Sequence, residues 1–278
     1  MSDTQYDAAA APREAETVDQ LASAGSGAAP MRVAHGGRPT LFEWLGMPAF
    51  LLLVGGATYA WISSRELDSI EERVLTRDQL VEKLVEHLQL TAVSTAIVIL
   101  LAIPLGILLT RPGARKAVPV VLTIANIGQG IPSFGLLAVI FVAFGSLGFT
   151  PVVIGLVAYS ALPVLRNTMV GLQQVDPTLI KASRGMGMSP MTVLRRVELP
   201  LAVPVMIAGL RTALIINVGT ATLATFFGAG GLGYIIFNGI GLNRDTVLVT
   251  GVVLVSGLAL LVDYLAGIAG RLLAPRGL

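Results

Sequence analysis

Six polar side chains lie inside long apolar stretches of this sequence, where they could form hydrogen bonds with a polar solute. Three surround Pro132 and three lie near residue 220; they are Asn126, Gln129, Ser133, Asn217, Thr220 and Thr222. A polar residue within a membrane-spanning segment is a functional candidate by default. The alternative is a hydrogen bond between helices, worth roughly 0.6–2 kcal/mol. We expect the six residues to face a translocation path.

Arg211 and Asp263 are the two charged residues that lie deepest in apolar stretches. Arg211 follows Pro204 by seven residues, or about 10 Å of helix. Asp263 precedes Arg271 by eight residues, or about 12 Å measured from the same side. Because the two depths match, we predict an intramembrane ion pair between them. The alternative is that each makes an independent polar contact.

Several other chemistries lack the residues they would need. A phosphate-binding loop of the Walker A type needs Gly-Lys followed by Ser or Thr, and none of the three lysines, Lys83, Lys116 and Lys181, has that setting. The two histidines, His35 and His87, stand alone in a tail and in a predicted surface helix, so we expect no metal site. The chain has no cysteine, and its net charge of +2 is too small to suggest a nucleic-acid partner. We therefore expect no catalytic residue and no bound cofactor in this chain.

The composition is that of an integral membrane protein. Of the 278 residues, 54% are hydrophobic and 13% are charged, and the mean hydropathy is +0.78. Soluble domains carry about 25% charged residues. A span needs about 20 mostly apolar residues. Six candidate spans follow, which predict an all-α polytopic membrane protein: 41–62, 88–110, 117–145 with Pro132 inside it, a short 150–166, 201–225 and 246–270.

The segments outside the spans differ in character. Residues 1–40 are rich in Ala, Gly, Ser, Asp and Glu and lack the pattern of a signal peptide, so we predict a disordered cytoplasmic tail. Residues 63–87 show helical spacing of leucine and valine among many charges, which predicts an amphipathic helix on the membrane surface. The glycine-rich stretch 226–245 suits a short re-entrant or surface helix.

The distribution of Lys and Arg predicts the orientation of the chain. With six spans both termini lie on one side, and the segments on that side carry thirteen of the nineteen basic residues, against five on the other side and Arg211 within a span. Positive residues favour the cytoplasmic side. We therefore expect both termini in the cytoplasm of a multi-pass protein of the cell membrane, with residues 41–278 forming its transmembrane domain.

The connection 167–200 has more helix-starting and helix-stopping residues than a bare loop needs. Asp176-Pro177 and Ser189-Pro190 each suit the start of a helix. Gly185 and Gly187 interrupt the first helix, and Leu199-Pro200 is expected to end the second. The sequence predicts two short helices joined by a glycine turn on the cytoplasmic surface.

This connection carries a spacing that resembles the "EAA" signature of binding-protein-dependent ABC permeases. The matching positions are Lys181, Ala182, Ser183, Gly187, Val197, Leu199 and Pro200. Three more stretches, 128–141, 159–177 and 219–240, resemble the osmoprotectant permeases that import glycine betaine, choline, carnitine or proline betaine. The resemblance covers about 88–270. It departs from the family at Lys181, where the signature has Glu, and at Ser183, where it has Ala.

The resemblance implies the ABC importer permease fold and a mechanism. The loop 167–200 would couple the chain to soluble ABC ATPase subunits, which would bind ATP-Mg, and Gly187 would permit close approach of the two backbones. The partners implied are those ATPases, an extracytoplasmic substrate-binding protein and a second permease, either a copy or a paralogue. The aromatic residues Phe134, Tyr159, Phe226, Phe227 and Tyr234 are scattered in the sequence and are interpreted as packing.

Three other functions are compatible with parts of this pattern. An ABC permease for another small solute, such as methionine or another amino acid, would share the signature of residues 181–200. A secondary transporter or channel that works without ATP would leave that spacing a coincidence. A membrane scaffold would carry no solute at all. The first differs from the osmoprotectant interpretation only in the solute transported, the second predicts function without an ATPase, and the third predicts no flux of any solute.

Overall fold

The computed structural model describes residues 41–273, with side chains from residue 44 onward, and all regular structure in that range is helical. The predicted tail 1–40 and His35 lie outside the described residues. The α-helices are α1 Leu41–Ser63, α2 Ser69–Val74, α3 Arg77–Leu109, α4 Val118–Gly130, α5 Ser133–Phe144, α6 Phe149–Gln173, α7 Pro177–Gly185, α8 Pro190–Val193, α9 Leu199–Ala221, α10 Gly233–Gly241 and α11 Asp245–Leu273. Shorter helical turns occupy Pro112–Ala117, Leu194–Glu198 and Thr222–Phe227.

Five of the described helices are long and apolar enough to cross a membrane by themselves. They are α1, α3, α6, the continuous run from α8 through α9, and α11. The buried apolar side chains form clusters among α3, α6 and α9, including Leu90, Val98, Leu156, Val164 and Ala213. The predicted all-α architecture is confirmed.

The sixth predicted span, 117–145, is two helices rather than one. Helices α4 and α5 are bent by 103° at Ile131-Pro132. Proline has no N–H to donate and its ring disfavours helical backbone at the residue before it, and Ile131 is extended, with φ −76° and ψ 133°. The break therefore follows directly from Pro132.

The bent pair nevertheless packs along α6 in the opposite direction. Gln129 Nε2 in α4 donates to the Tyr159 carbonyl at 3.0 Å. Further along the chain, Leu137 in α5 lies directly against Gly155 of α6. The pair thus joins the far end of α3 to the near end of α6, which makes it one broken crossing and gives six in all.

The termini of the described region lie at one end of the helix bundle. Tyr264 in α11 donates to the Trp44 carbonyl in α1, and the Arg271 guanidinium lies over the Trp44 ring at 5.1 Å. Arg271 and Pro204, near the start of α9, line the same cavity. The start of α1, the end of α11 and the helices α7 and α8 therefore share one end, as six crossings require.

Several predicted boundaries were wrong. The fourth span extends to Gln173 rather than 166, which places Arg166 within α6 instead of in a loop. Leu199-Pro200 does not end a helix, since α8 continues through a wide π-helical turn, Leu194–Glu198, into α9. Pro200 sits in the first turn of α9, where a missing N–H is tolerated. The surface helix expected over 63–87 is only α2, because α3 already begins at Arg77.

The segments α2 and α10 lie together at the other end of the bundle. Asp68 accepts hydrogen bonds from the backbone N–H groups of Ile70 and Glu71, while the Glu71 side chain bonds back to the Asp68 N–H. Arg244, just after α10, pairs with Asp68 at 2.7 Å. The Glu71 N–H, with the Ile70 N–H and the Arg244 charge, holds the pKa of Asp68 below its usual range. The short helix predicted in 226–245 is α10.

Packing between α6 and α9 depends on Gly209. A Cβ added there would lie 2.7 Å from the Pro163 carbonyl oxygen and against Asn167, so we expect Gly209→Ala to destabilise by about 1–3 kcal/mol through overpacking. A Cβ added to Gly219, in the same helix, would meet nothing within 4 Å. Thermal unfolding of the purified protein in detergent should give a lower Tm for Gly209→Ala and an unchanged or higher Tm for Gly219→Ala. Equal values would contradict the packing described here.

Candidate functional site: the coupling helices and the membrane face

Helix α7 begins at a well-formed cap. The Asp176 carboxylate accepts a hydrogen bond from the Thr178 backbone N–H at 2.7 Å, and Pro177 occupies the first turn. The hydrogen bonds from Thr178, its backbone N–H first, lower the pKa of Asp176. The carboxylate therefore stays ionised at neutral pH, where its negative charge stabilises the start of α7.

The turn between α7 and α8 is fixed by Gly187. Its φ is +83°, in the left-handed region that favours glycine. The Gly187 N–H bonds to the Arg184 carbonyl and the Met188 N–H to the Ser183 carbonyl, which is the paired closure of a Schellman motif. A Cβ on Gly187 would meet nothing within 4 Å, so within this chain the glycine serves the turn and not a close contact.

The turn presents an exposed surface of mixed character. Lys181 and Ala182 of the signature are exposed, whereas Ser183 is buried and donates to the Leu179 carbonyl at 2.8 Å. Large apolar side chains also face outward here: Leu179, Met186 and Met191. An exposed apolar patch beside charged residues is typical of a protein–protein contact.

An ion pair that the sequence analysis did not predict joins the turn Leu194–Glu198 to the end of α3. Glu198 is 4% exposed, and both of its oxygens accept from Arg111, at 3.2 and 2.5 Å. Val197, Leu199 and Pro200 of the signature are half-buried beside it. One signal in the sequence could have indicated this pair: Glu198 is the one acidic residue between Asp176 and Asp245. A carboxylate that is buried needs a charged or hydrogen-bonding partner.

The six predicted path residues fall into two groups. Asn126 is exposed and accepts from Arg166 Nη2 at 2.8 Å, and Gln129, Ser133 and Thr222 are half-buried. Asn217 and Thr220 are buried, and Asn217 Nδ2 donates to Thr95 Oγ1 at 3.0 Å between α9 and α3. The structure therefore places Asn217 in a helix–helix contact, as the alternative reading has it.

One face of α9 is exposed, like Asn126 in α4. Thr212, Ile215 and Gly219 are exposed at a spacing that keeps them on one side of α9, and Phe226, in the turn that follows α9, is exposed as well. Arg166 of α6 and Asn126 of α4 are exposed and joined by their hydrogen bond. Helices α4, α6 and α9 each contribute an exposed polar side chain to this face. We call the following residues the polar face: the exposed Asn126, Arg166, Thr212 and Gly219, and the half-buried Thr222 just after α9.

Cysteine labelling tests the polar face directly, because the native chain has no cysteine. We expect Asn126→Cys to react with a membrane-impermeant thiol reagent in a state-dependent way, since a path residue meets water when its side is open. Asn217→Cys is the matched control, and its labelling rate should be more than tenfold lower than that of Asn126→Cys. An opening free energy of roughly 1.4 kcal/mol is enough to slow the reaction of a buried thiol by that factor. Asn126→Cys that never reacts would remove it from the path.

Arg211 and Asp263 are in contact, as their depths predicted. Arg211 Nε and Nη2 donate to the two Asp263 oxygens, both at 2.7 Å. The pair joins α9 to α11 and lines a cavity with Met47 of α1. A two-pronged guanidinium–carboxylate contact fixes orientation as well as charge.

Breaking the Arg211–Asp263 pair should cost more than reversing it. We expect Asp263→Asn to lower the Tm in lipid nanodiscs, at a cost of about 1–3 kcal/mol in stability, because it leaves Arg211 without its carboxylate while the half-exposed guanidinium keeps other partners within reach. The swap Arg211→Asp with Asp263→Arg should recover part of that loss. If the swap is no better than the single change, the two residues contribute independently.

His87 is fully buried rather than on a surface helix, which corrects the sequence prediction. Its Nε2 lies 3.0 Å from the Val218 carbonyl, and its Nδ1 accepts from the Leu232 N–H at 3.3 Å. Beside it, Glu86 accepts from the Gly231 N–H at 2.8 Å. The two side chains hold the turn after α9 against α3. A neutral imidazole with Nε2 protonated satisfies both bonds.

The arrangement is that of a polytopic helical membrane protein with an exposed helix–turn–helix unit at one end. The chain belongs to the family of binding-protein-dependent transport system inner membrane components, whose model matches residues 102–276. It is 40% identical over 200 residues to the choline transport system permease protein OpuBB of Bacillus subtilis, covering 72% of this chain and 91% of that protein. It is 43% identical over 189 residues to the osmoprotectant import permease protein OsmY of Salmonella typhimurium, covering 68% and 80%.

Solved structures agree with the family. A chain of the MetNI methionine ABC transporter, in an inward-facing crystal form, superposes with a TM-score of 0.63 at 30% identity, covering 72% of this chain and all of that one. A chain of an amino acid ABC transporter solved with histidines superposes at 0.60 with 20% identity, which shows the fold alone. The fold is that of ABC importer permeases.

Proposed function

We propose that this chain is the membrane-spanning subunit of an ATP-driven importer for osmoprotectants such as glycine betaine, choline, carnitine and proline betaine. The observation that carries the proposal is the exposed helix–Gly187–helix unit, with the signature spacing, that runs without interruption into α9. The substrate class is supported by relatives about 40% identical that are named for choline, carnitine and osmoprotectant transport.

The coupling unit, defined as residues Pro177–Glu198, would convert ATPase motion into motion of the spans. ATP binding would close a pair of ATPase subunits, which hold ATP-Mg, around the exposed surface of α7 and α8. Because α8 is continuous with α9, and Glu198 is bonded to Arg111 at the end of α3, a push on the unit would move two spans together. The spans would then rock between inward-open and outward-open states.

The complete transporter would need other chains. A second permease, identical or paralogous, would supply the other half of the path, and an extracytoplasmic binding protein would deliver the solute. Lys181 is exposed where the family signature has Glu, so the groove on the partner ATPase would carry an acidic residue at that contact. The end that holds the coupling unit, and with it both termini, would face the cytoplasm.

Uptake by cells that lack their own osmoprotectant importers tests this function. The cells would express the chain with its ATPase and binding protein, and uptake of labelled glycine betaine and choline would be measured at high salt. We expect uptake that needs all three components. Uptake that persists without the ATPase would overturn the proposal in favour of a secondary transporter or channel, and no uptake of any solute would favour a scaffold.

An amino acid is the second candidate substrate, since the methionine transporter chain is 30% identical over most of this chain's length. Labelled methionine should be tested in the same cells. Uptake of methionine, with none of glycine betaine or choline, would keep the coupling mechanism and replace the substrate class.

A further inference from the structure

Five phenylalanine rings that are scattered in the sequence come together in the structure. Phe134, in the first turn of α5, contacts Phe226 at 5.6 Å and Phe227 at 5.4 Å between ring centroids. Phe141 contacts Phe227 at 6.4 Å, and Phe237 contacts Phe226 at 4.1 Å. The sequence analysis interpreted Phe134, Phe226 and Phe227 as packing residues, and that is correct for Phe227, which is 6% exposed.

Two rings of the cluster are not covered. Phe134 and Phe226 are each 49% exposed, and their planes meet at 81°. Two half-exposed rings set nearly at right angles form an open corner whose walls are aromatic. We call Phe134 and Phe226 the aromatic corner.

The aromatic corner lies beside the break between α4 and α5 and at the end of the polar face. Phe134 follows the Ile131-Pro132 break by two residues, and Gly130 and Pro132 at that break are exposed. Non-helical backbone at membrane depth is tolerated where it is buried in protein or lines a water-filled cavity, not where it meets lipid. Phe226 is exposed in the turn Thr222–Phe227, which directly follows α9 with its exposed Thr212 and Gly219. The corner is therefore set against protein or a water-filled cavity rather than lipid, and its place at the end of the polar face favours the cavity.

The chemistry of the corner suits one kind of ligand. The segments that form it, Ser133–Phe144, Thr222–Phe227 and Gly233–Gly241, contain no charged residue. A ring face attracts cations through its quadrupole. A small cation would lose its water shell here without a carboxylate to replace it, so it would bind weakly. A bulky quaternary ammonium group holds its water loosely and would therefore gain the most binding free energy from the ring faces. The basic residue of the polar face, Arg166, is bonded to Asn126 on the other side of the break, and Lys83 lies over the ring of Tyr234 rather than over a ring of the corner.

We propose that the aromatic corner is a transit site for the trimethylammonium group of the solute within the membrane domain. The inference rests on the proposed function, since choline, glycine betaine and carnitine all carry that group. A site of two rings binds weakly, and weak binding is what transit requires, because the solute must leave as readily as it enters. The corner would favour quaternary ammonium solutes after the binding protein has released them.

Stepwise fluorination of single rings tests this site, because fluorine weakens the quadrupole while changing the shape little. Phe134 and Phe226 would be replaced in turn by mono- and trifluorophenylalanine in the complete transporter, reconstituted in liposomes with its ATPase and saturating binding protein. The maximal rate of labelled choline uptake should fall in steps, and Phe226→Leu should lower it by roughly two- to thirtyfold. Fluorination of Phe141, which packs on Phe227, is the matched control and should give no graded loss.

The outcomes separate the inference from the function it rests on. A rate that does not change with fluorination at either corner residue, in a transporter that imports choline, would overturn the transit site alone. A second outcome is that fluorination changes the association of two permease copies and leaves uptake unaltered. That result would assign the rings to a subunit contact and would also overturn the transit site. If the unaltered transporter imports no trimethylammonium solute, the proposed function itself fails.

Discussion

Replacing Glu198 by alanine is expected to abolish most uptake and to destabilise the chain. The substitution leaves the Arg111 guanidinium, bonded to both Glu198 oxygens, without its partner. Breaking a buried pair in this way costs about 3–5 kcal/mol, and we expect the lower end because the Arg111 side chain is 33% exposed and can turn to water. Thermal unfolding in detergent and choline uptake at equal membrane expression would measure the two effects.

Matched variants separate coupling from stability. Glu198→Gln keeps the size and one hydrogen bond, so it should retain more of the Tm than Glu198→Ala while still losing about tenfold in uptake, the equivalent of 1.4 kcal/mol. Arg115→Ala removes an exposed charge from the turn after α3, outside the coupling unit, and should change neither quantity. If Glu198→Gln transports at the normal rate, the ion pair has no part in coupling.

Replacing Gly187 by tryptophan is expected to stop import while the chain still folds. A side chain at φ +83° strains the turn, at a cost of about 1–2 kcal/mol. The open space around Gly187 lets the indole project outward, onto the surface that we assign to the ATPase. Uptake should fall by tenfold or more, about 1.4 kcal/mol or above, and pull-down of the ATPase should weaken with it.

Two controls distinguish bulk from strain. Gly113→Trp adds the same indole to an exposed glycine in the turn after α3, where a Cβ would also meet nothing within 4 Å, and it should leave uptake unchanged. Gly187→Asn introduces a small residue that tolerates left-handed backbone, so this variant should retain most ATPase binding. Normal uptake by Gly187→Trp would remove this turn from the coupling surface.

The membrane class, most helices and the Arg211–Asp263 contact could be predicted from the sequence. Long apolar runs and local caps such as Asp176-Pro177 and Ser189-Pro190 are set by neighbouring residues, so they are readable. The position of Pro132 within the third span is readable from the sequence. The size of the bend is not, because the 103° angle depends on how α5 packs against α6. Leu199-Pro200 was misread, since a π-helical turn that accommodates the proline has no sequence pattern of its own.

What could not be predicted depends on contacts between residues distant in sequence. His87 lies among charged residues that suggest a surface, yet it is buried against Val218 and Leu232, more than 100 residues away. The aromatic corner joins Phe134 to Phe226, and an ion pair joins Arg111 to Glu198. No local periodicity links such positions. In each case the tertiary arrangement of α3, α5 and α9 supplies the partner.

The central claim is that a separate ATPase drives solute through this chain by way of the coupling unit. Its most direct test is choline uptake into liposomes that hold the permease and ATPase, with ATP inside and binding protein outside. We predict uptake against a choline gradient that requires hydrolysable ATP and disappears with an ATPase variant that binds ATP without hydrolysing it. Uptake of equal rate and extent without ATP, or with that variant, would contradict the account.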